Sequence, residues 1–198
     1  MNKKQSIGLA VLIIAVFALV GAHTDSFDKI FLDSATNAVN TVDYSHHEIH
    51  EGDHFFYKSY ADLANGASVV LLFKTPDTDR WAHASWILDS EAEYTFTLRE
   101  ASTTTANGTT VVTFNNNRNS LTTPTVAAYS APTVTVPGTL IWSSKVGAGK
   151  KSGGSGSVDL EIIGKHNTKY IFKLKNDSGG QAWVNYNFLW YEHEHLNL

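Results

Sequence analysis

Apolar and polar residues alternate through most of the chain after residue 52, with the period of two that a half-buried strand requires. Tyr94, Phe96 and Leu98 alternate with Thr95, Thr97 and Arg99. Trp81, His83, Ser85 and Ile87 share one face of a predicted strand, and Ala82, Ala84, Trp86 and Leu88 share the other. Further strands are expected at 53–60, 68–73, 109–114, 139–142, 157–163, 168–174 and 182–191. Asn107-Gly108 marks a tight turn before the TTVVTF run. Asn115 to Ser120 and the glycine-rich 147–156 read as loops. A series of about eight to ten short strands, with no long helical periodicity after residue 45, predicts an all-β fold. The expected architecture is an antiparallel β-sandwich, jelly-roll-like, over residues 46–198.

The pattern before residue 46 is different. Met1 to Gln5 is a short basic start, Ile7 to Val20 is an uncharged apolar run, and Val20-Gly21-Ala22 supplies small residues. Three readings fit residues 1–22: a secretory signal peptide, an uncleaved membrane anchor, and a pilin-like filament helix. In each the segment is an N-terminal hydrophobic helix, and in each the destination is extracellular or at a cell or particle surface. Residues 23–45 are expected as a linker or short helix, because Phe27, Ile30, Phe31 and Ala35 have helical spacing.

Composition narrows the function. The 198 residues suit one domain of ordinary size, and 42% hydrophobic content supports a sizeable core. The balance of 15 basic against 19 acidic residues is net −4, and without Lys3 and Lys4 of the leader it is 13 against 19, net −6. Such a chain has no global field to attract nucleic acid. Cysteine is absent, which excludes disulfides, thiolate nucleophiles and thiolate metal sites.

Candidate chemistry centres on His46-His47-Glu48-Ile49-His50-Glu51-Gly52-Asp53-His54. Imidazole and carboxylate together suit zinc, nickel or copper, so His46, His47, His50 and His54 are the candidate metal ligands. The HExxH spacing is missing, because His50 follows His47-Glu48 one residue too early. If the segment is extended, His46, Glu48 and His50 share a face, and a trimer axis could gather one such histidine from each subunit. The competing reading is a polar edge whose histidines hydrogen-bond. Tyr191-Glu192-His193-Glu194-His195 repeats the pattern, and would join the first cluster if the terminal strands pair. No GxSxG elbow or phosphate loop is present, and Glu91 and Glu93 read as a solvated strand face. The expectation is a protein without catalytic residues and without a bound cofactor, the divalent metal at the histidines being the alternative.

From His46 onward the chain resembles a family of structural proteins in virions of tailed bacteriophages. The segments that carry the resemblance are HHEIHEGDHFF, TPDTDRWAH, FNNNRNS, GTLIWSSKVGAGKKSGG and FLWYEH. It implies a non-enzymatic β-rich subunit, such as a capsid decoration or head-fibre protein. The expected partners are copies of itself, with a trimer as the expected symmetry, and a capsid or surface lattice protein. The leader lies outside the resemblance; it points to a domain fused to an export leader, a virus that uses a membrane, or a filament. Two alternatives stand beside this: a secreted module that binds glycans or a host surface through aromatics and the 115–120 loop, and a metal-dependent enzyme built on the histidines.

Overall fold

A computed structural model describes residues 43–146, 156–157 and 161–194. The leader at 1–22, most of the 23–45 segment, the glycine-rich 147–155 and His195 lie outside the described residues. Among the described residues no helix is long and apolar enough to cross a membrane.

One compact unit begins at Tyr44. Its helix α1 (Tyr44–Glu51) leads into β1 (His54–Leu63), β2 (Ser68–Lys74), β3 (Arg80–Ser90) and β4 (Tyr94–Glu100). Then come β5 (Thr103–Ala106), β6 (Thr109–Thr110), β7 (Phe114–Asn115), β8 (Ala127–Ser130) and β9 (Thr133–Val136). The chain ends with β10 (Thr139–Val146), β11 (Gly156–Ser157), β12 (Ile162–Ile163), β13 (Lys169–Asn176) and β14 (Ala182–Glu194). All pairings are antiparallel. The first sheet runs β11-β3-β14-β1-β7 with β12 also on β3, the second runs β10-β4-β13-β2-β8-β6, and the third is β5-β9.

The alternation of β14 explains its central place. Ala182, Val184, Tyr186, Phe188, Trp190 and Glu192 are buried, while the residues between them, apart from Tyr191, are not. In register, Trp190 faces Phe55 on one side and Ala84 on the other, and Phe188 faces Tyr57 and Trp86. Rings from the two large sheets interdigitate: Phe188 meets Phe172 at 4.6 Å and Phe73 at 5.1 Å, and Trp86 meets Phe96 at 5.3 Å. Each fully buried aromatic side chain contributes about 1.5–3 kcal/mol of transfer free energy, so this ring layer holds the sheets together. A bulge between Leu140 and Trp142 turns the Trp142 ring toward Trp86, at 6.0 Å.

The outward side of the second sheet is partly covered. Leu72 and Ile171 sit outside the main core yet are 0% and 4% exposed. On that same side Lys169 Nζ donates to Thr104 Oγ1 (2.5 Å) and Asn107 Oδ1 (2.9 Å), so the β5 end of the small sheet laps over it.

Two expectations need correction. Residues 44–51, of which 46–51 are expected within the β-sandwich, form a helix, so the shared face that an extended segment would give His46, Glu48 and His50 does not arise. Gly52 ends the helix at φ 84, with its N–H on the Glu48 carbonyl (3.1 Å) and the Asp53 N–H on the same oxygen (2.9 Å). A Cβ at Gly52 would collide with Ser120, so the position accepts no other residue freely. The TTVVTF run is not one strand: Thr109–Thr110 pair with β8 in the second sheet, and Phe114–Asn115 pair with β1 in the first. The residues between cross from one sheet to the other, with Val111 against the core and Val112 70% exposed.

Candidate functional site

The helix brings together two of the four histidines singled out as metal ligands and leaves the other two apart from them. His46 and His50, one turn apart, bring their Nε2 atoms to 3.1 Å. His47 turns to Glu48 (3.6 Å) and Glu51 (3.9 Å). His54 opens β1, is 7% exposed, and stacks on Tyr191 with centroids 6.2 Å apart. Its Nδ1 accepts from Asn116 Nδ2 at 2.8 Å, which assigns the neutral Nε2–H tautomer. Burial lowers the pKa of this imidazole, with Glu161 pulling the other way.

The 115–120 segment, expected as a loop, straps across the α1–β1 junction, with Asn115 in β7. Asn115 is buried and donates to the Gly52 carbonyl (2.5 Å); Asn117 donates to the His50 carbonyl (3.1 Å). Glu91 and Glu93 lie in the β3–β4 turn, where Glu91 accepts from the Trp183 N–H (3.2 Å) and Glu93 pairs with Lys145 (2.6 Å).

A second group forms where β14 passes β3 on the outer face of the first sheet. Register places Tyr191 opposite His83, and His193 opposite Trp81, one diagonal step from His83. The His83 and Tyr191 rings stack at 4.6 Å and 18°. Glu161, one residue before β12, reaches the pair: His83 Nδ1 hydrogen-bonds its Oε1, and the Tyr191 hydroxyl donates to the same oxygen (2.8 Å). Burial and the Glu161 carboxylate push the Tyr191 phenol well above its ordinary pKa, so it stays a donor. His193 Nε2 lies 2.9 Å from His83 Nε2, and Tyr44 of α1 meets the His193 ring edge-on at 5.4 Å. A cleft of about 290 Å³ adjoins the group, lined by Ser45, His54, His83, Ile87, Glu161 and Tyr191 among others.

Strands β1 and β14 pair, His54 facing Tyr191, and the described part of the tail cluster, Tyr191 and His193, lies near His54, while His195 lies outside the described residues. His83 and Glu161 are the residues that sequence reasoning passed over. The alternation of β3 groups His83 with Trp81, Ser85 and Ile87 on one face, but nothing local shows that this face is the outer one or that β14 and β12 both pair with that strand.

Beneath the group, Glu192 points inward and is 1% exposed. Its carboxylate accepts from the Thr125 N–H (2.9 Å), the Thr125 hydroxyl, the Val126 N–H (3.0 Å) and Trp190 Nε1 (3.0 Å). It ties the 122–126 segment to the sheet, and is a structural anchor. Comparison with protein-family models, with curated proteins and with solved structures finds no match to the chain.

Proposed function

We propose that the chain is a non-enzymatic structural subunit that associates with copies of itself to build or decorate a virion or an extracellular surface particle. One observation carries this reading: a stripe of apolar side chains on the outer face of the first sheet. Phe114 and Phe56 are cross-strand neighbours with ring centroids 5.6 Å apart. Leu189 lies beside Phe56, and Ile87 is one diagonal step beyond Leu189. Phe114, Ile87 and the nearby Tyr60 are 42%, 43% and 69% exposed. Exposed apolar side chains gathered on one sheet face favour an interaction site. Lys58 stands among these residues, between Phe56 and Tyr60 on β1 and in one cross-strand row with Ile87, and Asp62 and Asp89 lie on the same face.

The strand order supports a jelly roll as the finer architecture. Strands β1 to β4 alternate between the two large sheets, β10 stays with β4, and β12, β13 and β14 alternate again. The resemblance of residues 46–198 to tailed-phage virion proteins points the same way. In this reading residues 1–22 are a hydrophobic helix that exports or tethers the subunit, and a trimer is the preferred assembly.

Light scattering on the purified chain tests the proposal. A discrete oligomer is expected, and Ile87→Lys with Tyr60→Lys is expected to give a folded monomer. A wild-type chain that is monomeric at all concentrations overturns it. Specific capture of a glycan by a monomer that loses it with Tyr60→Ala would favour the binding-module reading instead.

A further inference from the structure

The outer-face histidine pair presents a problem of donors and acceptors. His83 Nδ1 faces the Glu161 carboxylate, and the Tyr191 oxygen is 3.0 Å away with its proton committed to Glu161. That nitrogen therefore carries the proton, since only N–H satisfies a carboxylate. His193 Nδ1 lies 2.6 Å from the Glu194 carbonyl, which can only accept, so it too is protonated. When both rings are neutral, both Nε2 atoms are then left with lone pairs, 2.9 Å apart. Two lone pairs at that distance repel unless something positive lies between or beside them.

A divalent transition ion fits. With bonds of about 2.0–2.1 Å, neighbouring imidazole nitrogens on a tetrahedral or octahedral ion lie about 2.9–3.4 Å apart. Ligating histidines regularly donate their other N–H to a carboxylate or a backbone carbonyl, which fixes tautomer and ring orientation. His83 has the first arrangement and His193 the second. The His83 ring is also held between Tyr191 and its hydrogen bonds, with 11% of its side chain exposed. We propose that His83 and His193 form a two-imidazole site for a borderline divalent ion such as zinc, with Glu161 as a positioning residue and water completing the coordination. The site is distinct from the α1 histidines and does not depend on the assembly proposed above.

The test is zinc titration by calorimetry on the full, untagged chain after chelator treatment. One zinc per chain is expected. His83→Gln and His193→Gln should each weaken binding at least about tenfold, and Glu161→Gln by about 10–100-fold at unchanged stoichiometry. The double variant His46→Gln, His50→Gln removes the other close imidazole pair, whose Nε2 atoms lie 3.1 Å apart, and should leave zinc binding at His83 and His193 in place. Imidazole nitrogen NMR gives a readout independent of any variant's folding: zinc should move the Nε2 resonances of His83 and His193 together. The inference is overturned if the chain takes up no zinc, the pair then sharing a proton instead. It is equally overturned if uptake survives His193→Gln and vanishes with the α1 double variant, or if zinc leaves both Nε2 resonances unmoved.

Discussion

At the scale of single residues, the buried polar groups make the sharpest demands. Glu192 offers two carboxylate oxygens to donors from Thr125, Val126 and Trp190, with no cation among those donors. Replacing it with Gln turns an amide N–H₂ toward groups that are themselves donors. Glu192→Gln is expected to lower unfolding free energy by about 2–4 kcal/mol, read as a shift in the urea midpoint. Thr125→Ala, which removes one donor and leaves the carboxylate with the others, should cost much less. His54 sets a pH dependence. Burial holds its pKa in the fold below the ordinary 6.5, so the unfolded chain takes up the proton first as pH falls. Stability contributed by the neutral ring is complete above pH 6.5 and is lost as pH drops below that value. Thermal midpoints of the parent should therefore fall between about pH 7 and pH 5, and those of His54→Gln should fall less over the same range. Equal slopes for the two proteins would remove His54 as the cause. Asp177 acts in the same sense but in a more acidic window, because hydrogen bonds from Lys175 and Thr95 hold its carboxyl well below the ordinary 3.8. Its contribution is intact at neutral pH, and is lost only as pH falls below 3.8 toward its folded value.

At the scale of elements, large apolar side chains at period two were readable and short local structure was not. Strands β3, β4, β13 and β14 carry Trp, Tyr, Phe and Leu on their inner faces, and burying those side chains in a two-layer core leaves one register for each strand. Strands β5, β8 and β9, with sequences TTTA, AAYS and TVTV, offer few large groups, and their pairing is decided by partners far along the chain. The α1 helix was hidden for a related reason. Its sequence YSHHEIHE has little amphipathic pattern, and Glu48 is its buried residue. What stops it is Gly52, and what covers its end is the 115–120 strap. The histidine pair was half legible: the alternation grouped His83 and His193 each with one face of its strand, but the diagonal contact needs the β3–β14 register. Turn glycines give a direct test of this local control. Gly138 has φ 77, and a Cβ there would collide with the Glu100 carbonyl and lie 2.9 Å from Ser102 N. Gly138→Ala is expected to cost about 2–3 kcal/mol, from the left-handed backbone plus the collision. Gly66 has φ 81 with open space around it, so Gly66→Ala should cost only about 1 kcal/mol. Denaturant melts of the two variants side by side separate backbone strain from crowding; equal losses would show that the collision relaxes freely.

At the scale of the whole molecule, the two sheets face different demands. The second sheet buries Leu72 and Ile171 on its outer side and exposes Leu140 and Ile141 at its β10 edge, while the first leaves Ile87, Phe114 and Tyr60 in solvent. Exposed groups of that size lower the solubility of an isolated subunit and gain free energy when a second copy removes them from water, at about 25 cal/mol per Å² of apolar surface. If association is how the chain resolves this, stability and concentration are linked, because the assembled form alone holds the buried stripe. A tenfold rise in protein concentration should then raise the thermal midpoint by about 2–3 °C. Ile87→Lys should flatten that dependence, because a charge in place of an exposed apolar group of the stripe opposes burial without touching the inner ring layer. Circular dichroism melts over a hundredfold range of concentration decide the matter. A midpoint that is flat for the parent as well would mean that the stripe is no interface between copies, and the same melts run with a candidate lattice protein would then ask whether another surface covers it.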